Sequence, residues 1–487
     1  MPPSVRATNC VKILFLVHNL GKTRHFEGVI EQLTARGHTV VLAAARKRQK
    51  PLKLTGRFAD NPRIDVIPLP VARVDAWKDV VRPLRQARDY MRFLGPGYGH
   101  AAKLAQRAGQ YAPPGWAARF DRRPWLRRHA DWVRRGLELA EAVVPSERFY
   151  ELSMLAEAPD LLLLTPLVDF GSYQTDYVKA AHRLGLPVVF LPFSWDNLTN
   201  RGLIRIPPDR VLVWNEHQKR EAVEMHGVPA DRVIVTGAPR FDEFFAMRPS
   251  GCREVFCQEA GLDPGRPLLL YLCSSKFVAP REVDFVRGWI EAVRTSSDPC
   301  LRRAAVLVRP HPANAEQWAG VTLSDFDQAA VWQAHGRMQA DQTLYDSLFH
   351  SAAVVGLNTS ALIEAGIVGR PVYTIQTGDF AGGQEQTLHF HYLLAENGGL
   401  VETAATMDGH LRQLAAGLAT PAAAEQRNRR FVESFVRPRG IDRPVAPIMV
   451  EEIEKAGRIR KRPRRPALWH YPARRALLTV FTMRTPR

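Results

Sequence analysis

Short runs of apolar residues recur along the chain, and between them apolar residues repeat at the spacing of amphipathic helices. Runs without polar alternation, such as LLLL at 161–164, are typical of strands buried on both faces of a parallel sheet. Helices are predicted at 26–36, near 173–184 and at 216–226, so strand and helix alternate. The first series of predicted strands spans residues 11–17, 40–44, 161–164, 188–191, 211–214 and 233–236.

A second series of apolar runs begins after the segment GAPRFDEFFAMRPSG. Alternation of strands and helices predicts the α/β class, with parallel strands in doubly wound sheets. We therefore predict two doubly wound, Rossmann-like domains that face each other across a cleft, at residues 1–245 and 246–440. A C-terminal helix and a basic amphipathic tail are predicted at 441–487. The predicted strands of the second domain span residues 268–272, 305–308, 354–357 and 372–375.

The alternation is interrupted at about residues 72–150, where the pattern is helical, rich in arginine and broken at GPGYG and APPGW. This segment predicts a helical, basic insertion in the first domain. The formal net charge of the chain is +18, and the excess is concentrated in two places. Residues 73–135 hold 15 Lys and Arg against 5 Asp and Glu, and residues 455–487 hold 11 Lys and Arg and no acidic residue. The remainder of the chain is close to neutral.

The basic tail also contains large apolar residues beside Arg474 and Arg475, namely Leu468, Trp469, Tyr471, Leu477, Leu478, Val480 and Phe481. Arginines beside aromatic and aliphatic side chains are typical of segments that lie on an anionic membrane surface. We therefore predict an anionic membrane surface as a partner, with the tryptophans of the basic insertion making a second contact. The alternative is a disordered, solvated tail.

Several classes of protein and site are disfavoured by the sequence. No stretch reaches the ~18 apolar residues of a membrane-spanning helix, and the polar start MPPSVRATNC has no signal-peptide cleavage site. The five cysteines form no CxxC pair, which predicts reduced thiols and no zinc site. Asp325 and Asp327 have metal-like spacing, but SDFD is typical of a solvated loop. We expect no metal, no cofactor, and a cytoplasmic location, peripheral on the inner face of the cytoplasmic membrane.

Polar residues follow two predicted strands of the second domain. His311 lies in VLVRPHPAN after the strand at 305–308, and Ser274 and Ser275 lie in LYLCSSK after the strand at 268–272. Because the carboxyl ends of parallel strands share one edge of a sheet, we expect these side chains to converge. Taken alone, each segment is also explained as an ordinary turn that ends a strand.

The segment VVGLNTSALIEAG contributes a third polar group at the same edge. Asn358, Thr359 and Ser360 follow a predicted strand and precede a helix, with Glu364 one turn inside it. Hydroxyls and backbone N–H groups at a helix start suit a phosphate, although Asn-Thr-Ser alone is also a common helix cap. Together the three groups predict a site for a phosphate-bearing ligand, with His311 donating to a phosphate oxygen and Glu364 accepting from ribose hydroxyls.

These motifs resemble those of a known group of enzymes. The two-domain pattern is similar to the GT-B glycosyltransferase architecture, and the His-Pro turn with a later Ser/Thr pair resembles bacterial sialyltransferases and polymerases that use CDP-glycerol. The segment VTGAPRFDEF at 235–244 resembles the TGN-x-x-x-D segment of Kdo transferases. Over roughly residues 160–440, the resemblance implies that His311, Thr359, Ser360 and Glu364 bind the donor. The loop HNLGKTRHF lacks GxGxxG, so no dinucleotide site is predicted.

The resemblance implies a glycosyltransferase or polyol-phosphate transferase that moves a sugar unit from a nucleotide-activated donor to a glycan or lipid-linked acceptor, in bacterial surface polysaccharide synthesis. A base that accepts the proton of the acceptor hydroxyl is expected in the first domain. We favour Asp196 in SWDNLTNRG, followed by His18 and His25 in the first loop. The alternative for Asp196 is that it only orders its own turn.

Two other functions remain open on the sequence. A nucleotide-sugar epimerase of the same fold would use a similar phosphate site, but it would not need the two basic segments. A nucleic-acid-binding protein would use the positive charge directly, but the basic segments contain no recognised nucleic-acid-binding motif. We therefore expect no nucleic acid among the partners.

Overall fold

The computed structural model describes residues 10–45, 58–332, 340–459 and 461–482. Its strands form two sheets in which all the described pairs run parallel. The strands are β1 (Lys12–Val17), β2 (Thr39–Ala45), β3 (Ile64–Leu69), β4 (Leu161–Thr165), β5 (Val188–Phe190), β6 (Arg210–Val213), β7 (Val233–Val235), β8 (Leu268–Leu272), β9 (Ala305–Arg309), β10 (Ala329–Val331), β11 (Ala353–Gly356), β12 (Val372–Ile375) and β13 (Val401–Ala404). The strand orders are β3-β2-β1-β4-β5-β6-β7 and β10-β9-β8-β11-β12-β13.

Helices connect successive strands of both sheets. They are α1 (Glu27–Ala35), α2 (Lys78–Arg92), α3 (Ala102–Tyr111), α4 (Trp116–Arg122), α5 (Pro124–Arg128), α6 (Ala130–Val143), α7 (Arg148–Glu157), α8 (Gln174–Leu184), α9 (Asn197–Asn200), α10 (Glu216–Arg220), α11 (Asp242–Ala246), α12 (Arg253–Ala260), α13 (Glu282–Thr295), α14 (Pro299–Arg303), α15 (Ala340–His350), α16 (Ala361–Ile367), α17 (Met407–Ala419), α18 (Ala422–Phe431), α19 (Val445–Gly457) and α20 (His470–Thr482). None of the helices in the described ranges is long and apolar enough to cross a bilayer.

The described residues divide into two compact units. The first unit holds those within Met1–Gly99, Leu104–Arg240 and Arg437–Arg487, and the second those within His100–Lys103 and Phe241–Val436. The chain therefore returns to the first unit after the second sheet is complete. It returns because α19 places apolar side chains such as Met449 and Ile453 in the core that also contains α1 and β1.

Each sheet is covered on both faces, which explains the uninterrupted apolar runs. The residues of β4 are all buried, and they alternate between two cores of the first unit. One core contains side chains of α7 and α8, and the other contains those of α1 and α19. In the second unit, α13, α14 and α17 pack over β8, β9 and β11, with Trp289 fully buried among them. This doubly wound α/β architecture confirms the predicted fold class.

Three strands had no counterpart in the sequence prediction, namely β3, β10 and β13, and all three lie at sheet edges. Edge strands are partly exposed, so their sequences need not be continuously apolar. In β3, IDVIPL contains Asp65 and Pro68, and proline is tolerated in an edge strand because one side of it has no strand partner. β10 has three half-buried residues, and β13 reads VETA.

The basic insertion, α2 to α6, is held by a buried ion-pair network. The Arg85 guanidinium donates from Nη1 and Nη2 to the Asp176 carboxylate, at 2.7 and 2.8 Å, and from Nε to Glu141 at 3.1 Å. Arg73 donates to Asp176 at 2.6 Å, and the Lys179 ammonium lies 2.8 Å from Glu141. All five side chains are buried. The network therefore links α2 and α6 of the insertion to α8, which covers the first sheet.

This network corrects one expectation from the sequence. The positive charge at 73–135 is not all available to a membrane, because Arg73, Arg85, Arg88 and Arg92 are buried. The basic residues that remain exposed include Lys78 and Arg82 on α2, Arg135 on α6, and a group on α4, α5 and the loop between them, namely Arg119, Arg122, Arg123, Arg127 and Arg128. Of the four tryptophans at 73–135, Trp77 is buried and Trp116 is half-buried, whereas Trp125 and Trp132 are 53% and 71% exposed.

The C-terminal tail is folded onto the first unit over residues 461–482. Its first part lies beside the end of α8, where the backbone N–H of Arg464 donates to the carbonyl of His182 at 3.0 Å, and its helix α20 lies on the insertion. Helix α20 packs against α6, where the Arg474 Nε donates to the carbonyl of Val143 at 2.9 Å. Leu477 and Leu478 pack on the apolar cluster that contains Trp77. A disordered, solvated tail is therefore wrong for this part. The prediction of a membrane-bound tail also used Val480 and Phe481, whose side chains are not among those that the structure describes.

Candidate functional site

Three neighbouring strands of the second sheet end in register, at Leu272 of β8, Arg309 of β9 and Gly356 of β11. The loops that follow carry the predicted donor-binding residues. Hydrogen bonds tie these loops together: the Asn314 Nδ2 donates to the carbonyl of Ser274 at 3.1 Å, and the backbone N–H of Asn358 donates to the Ser274 Oγ at 3.3 Å. The structure therefore brings the three sequence segments to one edge of one sheet.

His311 follows β9 and precedes a short 3-10 turn at Pro312–Trp318. Its Nδ1 accepts a hydrogen bond from the backbone N–H of Ala313 at 3.0 Å. In the neutral imidazole the proton is then on Nε2, which makes that atom a donor. Burial lowers the pKa of His311, so the neutral form is favoured at neutral pH. The ring can donate one hydrogen bond to an anionic oxygen without carrying a charge.

Ser274 and Asn358 are buried, and their polar groups bind other parts of the same edge. The Asn358 Nδ2 donates to the carbonyl of Gly383 at 2.7 Å. The backbone N–H of Ser274 donates to the Glu282 carboxylate at 2.8 Å, and burial raises the pKa of Glu282 to about 7. Ser274 and Asn358 thus stabilise the loops at this edge of the sheet. Direct contact of these two residues with a donor stays a prediction.

Ser360 occupies the N-cap position of α16 but makes no side-chain capping hydrogen bond. It is half-buried, as is Ser275, while Thr359 is buried. Helix α16 has only seven residues, so the anion site expected from the sequence at its start would depend on the local hydroxyl and backbone N–H groups. The donor-binding roles of Ser275, Thr359 and Ser360 stay predictions.

Glu364 lies one turn inside α16 and is buried. Its carboxylate is one of the charges that act on Arg309, whose pKa is lowered to about 10 mainly by burial. Arg309 itself donates to the carbonyl of Thr343 at 2.9 Å and to the Ser347 Oγ at 2.8 Å. Recognition of ribose hydroxyls by Glu364 stays a prediction, since this carboxylate already lies in a polar, partly charged environment.

The first sheet has a similar polar edge, because β1, β4 and β5 are neighbours and β1 and β4 end in register at Val17 and Thr165. His18 directly follows β1, and its side chain is 50% exposed. Its Nδ1 lies 3.4 Å from the Asp169 carboxylate in the loop after β4. An imidazole whose one nitrogen faces a carboxylate and whose ring is half-exposed has the arrangement of a general base.

Asp196, the favoured base from the sequence, orders its own loop. It accepts hydrogen bonds from the Asn200 Nδ2 at 2.6 Å and from the Asn197 Nδ2 at 3.2 Å, and its backbone carbonyl accepts from the Thr199 hydroxyl. This is the alternative that the sequence left open for Asp196. Its carboxylate is half-buried, and a catalytic role for it stays a prediction.

His25 is only 6% exposed and packs on the Phe193 ring, with 5.1 Å between ring centroids. Burial, together with the positive charges of Arg240, Arg24 and Lys22, lowers the pKa of His25 to about 2. The imidazole is therefore neutral at neutral pH, and its low basicity makes it a weaker candidate base than His18.

Helix α2 of the insertion holds the loops of this first-unit site. The Asp89 carboxylate accepts from the backbone N–H groups of Gly171 at 2.8 Å and Leu203 at 2.9 Å. The Arg92 guanidinium donates to the carbonyls of Arg201 and Gly202 at 2.9 and 3.1 Å. The insertion thus fixes the loops that carry Asp169 and Arg201.

Sequence reasoning missed several side chains of both edges. In the first unit these are Lys22, Asp169, Phe193 and Arg201, and in the second Asn314 and Glu282. The strand-end rule that selected His311 would have selected Asp169 as well, because it follows β4 as the first charged residue. Glu282 had no such signal, since it begins a helix and its burial comes only from packing under β8.

Within the described ranges, no group of three or more His, Cys, Asp and Glu side chains is arranged to hold a metal ion. Asp325 and Asp327 pair instead with Arg287 and Arg266 at the surface. All five cysteines are free thiols.

No protein-family model matches this chain, and no curated protein matches it significantly in sequence. Solved structures do match it. UDP-GlcNAc 2-epimerase from Neisseria meningitidis bound to UDP-GlcNAc is similar with a TM-score of 0.52 and 12% identity, over 91% of this chain and 100% of that chain. A glycosyltransferase from Rickettsia africae is similar with a TM-score of 0.51 and 11% identity, over 92% and 99% of the two chains. With the two parallel sheets, these matches confirm the GT-B fold.

Proposed function

We propose that this protein is a glycosyltransferase, or a polyol-phosphate transferase, that uses a nucleotide-activated donor and a glycan or lipid-linked acceptor in bacterial surface polysaccharide synthesis. One observation carries the proposal: three strand-end loops of the second sheet are hydrogen-bonded together, and the His311 Nε2–H is left as a donor at that edge. A neutral donor beside hydroxyls suits the leaving phosphate of a nucleotide, whose developing charge it would stabilise.

In the proposed reaction the acceptor hydroxyl loses its proton to His18, whose ring faces Asp169. The acceptor oxygen then forms a bond to the transferred group, while the bond from that group to the nucleotide phosphate breaks. His311 and Ser360 would stabilise the departing phosphate. We propose that this chemistry needs no metal and no cofactor, because hydrogen-bond donors supply the stabilisation. Asp196 and His25 remain the alternative bases.

An epimerase of the same fold is the second candidate, since the fold is shared with UDP-GlcNAc 2-epimerases. The basic segments distinguish the two functions less sharply than the sequence implied, because four of the 15 Lys and Arg at 73–135 are buried. What still favours a transferase is an exposed basic and aromatic surface, which an enzyme acting on one soluble nucleotide sugar would not need. Nucleic acid is a less favoured partner for this surface, because its segments contain no recognised nucleic-acid-binding motif.

This basic aromatic face consists of exposed side chains on α4 to α6 and the loop between α4 and α5, on residues 462–465 beside the end of α8, and on residues 468–471 at the start of α20. Arginines beside tryptophans suit the interface of an anionic bilayer. We propose that this face holds the protein at the inner surface of the cytoplasmic membrane, next to a lipid-linked acceptor. Its members are Arg122, Arg123, Trp125, Arg127, Arg128, Trp132, Leu139, Arg462, Arg464, Arg465, Leu468, Trp469 and Tyr471.

The double variant Arg122→Gln/Arg123→Gln tests this face. We expect the wild type to sediment with anionic liposomes and to be released by high salt. Each basic residue near such a surface contributes ~1 kcal/mol, so the double variant should partition about 30-fold more weakly. Arg429→Gln/Arg430→Gln, which removes the same charge from exposed positions of the second unit, should partition like the wild type. Equal sedimentation with neutral and anionic liposomes would contradict a membrane role.

The donor site is tested by a thermal-shift panel of CMP, CDP, UDP, GDP and ADP. A nucleotide at 100 times its Kd should stabilise the fold by about 2.7 kcal/mol. His311→Ala and Ser360→Ala should each lose about 1.5–3 kcal/mol of that nucleotide's binding energy, measured by calorimetry, because a hydrogen bond to charged phosphate is lost. Ser324→Ala, at an exposed position of the second unit, is the control. Wild-type affinity in both site variants would refute the donor site.

A further inference from the structure

The ring of Phe193, in the loop after β5, is shared by three basic side chains of the first unit. The Lys22 ammonium lies 3.8 Å from its centroid, the Arg201 guanidinium carbon 5.2 Å, and the His25 ring centroid 5.1 Å. These residues come from separate segments, the loop after β1 and the loops after β5. The sequence gives no single motif for the cluster, and the donor site described above does not include it.

The charges around this cluster do not balance locally. Lys22 has no hydrogen bond or ion pair from its ammonium to any residue in the described part of the chain. The positive charges that act on it most strongly are those of Arg201 and Arg24, and the carboxylates of Asp169 and Asp196 offset them only in part. Burial and these cations lower the pKa of Lys22 to about 8. A half-buried ammonium held next to other cations is destabilised until an anion binds.

Two buried nitrogens of the same cluster also lack a partner within the described residues. They are the Nδ1 of His25 and the Nε of Arg201. An unpaired buried nitrogen costs free energy unless a ligand or water completes its hydrogen bonds. More positive charge lies nearby, because Arg240 acts on His25 and Arg107 acts on Arg201. The Arg201 guanidinium also donates from Nη1 to the Asp169 carboxylate, so the unpaired charge of the cluster is that of Lys22, and it lies beside two nitrogens without a hydrogen-bond partner.

We propose that Lys22, Arg201 and His25 form a pocket that binds a phosphate-type oxyanion of the acceptor. The inference rests on the proposed function, in that it assigns the anion to the acceptor, and it narrows the acceptor class to phosphorylated glycans or lipid phosphates. The Phe193 ring holds the two cations in place and lies where it can contact an apolar part of the ligand. His18 lies on the same loop as Lys22, so a hydroxyl near the bound oxyanion would lie near the candidate base.

The test uses inorganic phosphate as the probe and full-length His311→Ala as the background, so that the proposed donor site does not contribute. Phosphate affinity is measured by ³¹P NMR titration, with and without Lys22→Gln. At pH 7 we expect Lys22→Gln to bind phosphate at least tenfold more weakly. Without phosphate its Tm should be equal or higher, because it removes a cation from among cations. The control is Lys78→Gln, which removes an exposed lysine of the same unit whose side chain has no partner within the described residues. This variant should bind phosphate as tightly as the background does.

The pH dependence provides an independent readout. Between pH 7 and pH 9 the free protein loses the proton of Lys22. The ratio of the phosphate affinity of the background protein to that of Lys22→Gln should therefore fall about tenfold. The titration of phosphate itself cancels in this ratio. Affinities within twofold of each other at pH 7, or a ratio that is constant to pH 9, would overturn the inference. Neither result depends on nucleotide binding. The phosphate titrations therefore test the pocket separately from the nucleotide measurements that test the donor site.

Discussion

The substitution Asp176→Asn is expected to destabilise the protein by about 3–5 kcal/mol, because it removes the counter-charge that two buried guanidinium groups share. Arg85 donates to both oxygens of Asp176, and Arg73 donates to one of them. Glu141 still pairs with Arg85 in the variant, and Arg73 retains the carboxylates of Asp75 and Glu147 and the carbonyl of Pro145. Urea denaturation measures the loss. Asp131→Asn, an exposed carboxylate on α6, should change stability by less than about 0.5 kcal/mol.

The same network predicts how stability depends on pH. Burial alone would raise the pKa of Asp176, but Arg85, Arg73 and Lys179 outweigh it and hold that pKa below its usual value. The pKa of Glu141 is lowered for the same reason, because the charges of Arg85 and Lys179 outweigh the effect of burial. Carboxylates with depressed pKa values stabilise the fold above about pH 4, and this contribution is lost as the pH falls further. Asp176→Asn should therefore show a shallower loss of stability between pH 4 and pH 2 than the wild type.

The second large effect is expected for His18→Ala, which should lower turnover about 100- to 10,000-fold and leave nucleotide affinity unchanged. A base acts on the acceptor hydroxyl and is needed only in the transition state. Release of the nucleotide product in the presence of acceptor measures turnover. Asp169→Asn should cause a smaller loss, because the imidazole loses the carboxylate that it faces. His217→Ala in the same unit is the control.

The base assignment can fail in two ways. If His18→Ala turns over within a few-fold of the wild type and Asp196→Asn does not, the base is Asp196. If both variants are active, proton transfer is not assisted by either side chain, and the proposed reaction loses its base.

The central strands of both sheets could be predicted from the sequence for a physical reason. A strand covered on both faces excludes water from every residue, so runs such as those of β4 and β8 are apolar throughout. Edge strands such as β13 lack this constraint, and their two or three apolar residues are indistinguishable from a loop. The convergence of His311, Ser274 and Asn358 was also predictable, because it follows from parallel topology alone.

The burial of the insertion's arginines could not be predicted from the sequence. Arg85 is separated from Asp176 by 91 residues and from Glu141 by 56, and no local pattern marks such pairs. Because these partners are far apart in the sequence, residues 73–135 were predicted to form an unpaired basic surface. The phosphate pocket was missed for a similar reason, since Lys22 and Arg201 meet only through the order of β1, β4 and β5. Net charge by segment therefore overestimates the charge that a folded surface presents.

The most direct test of the proposed function is the fate of donors with and without acceptor, followed by mass spectrometry. The wild-type protein is incubated with nucleotide sugars and CDP-polyols, alone and with membranes of the cells that make it. We predict that one donor releases its nucleotide rapidly only when membranes are present, and that His311→Ala abolishes this release. Conversion of a donor alone into an isomer of the same mass would show an epimerase and contradict the account. Failure to consume any donor under either condition would contradict it as well.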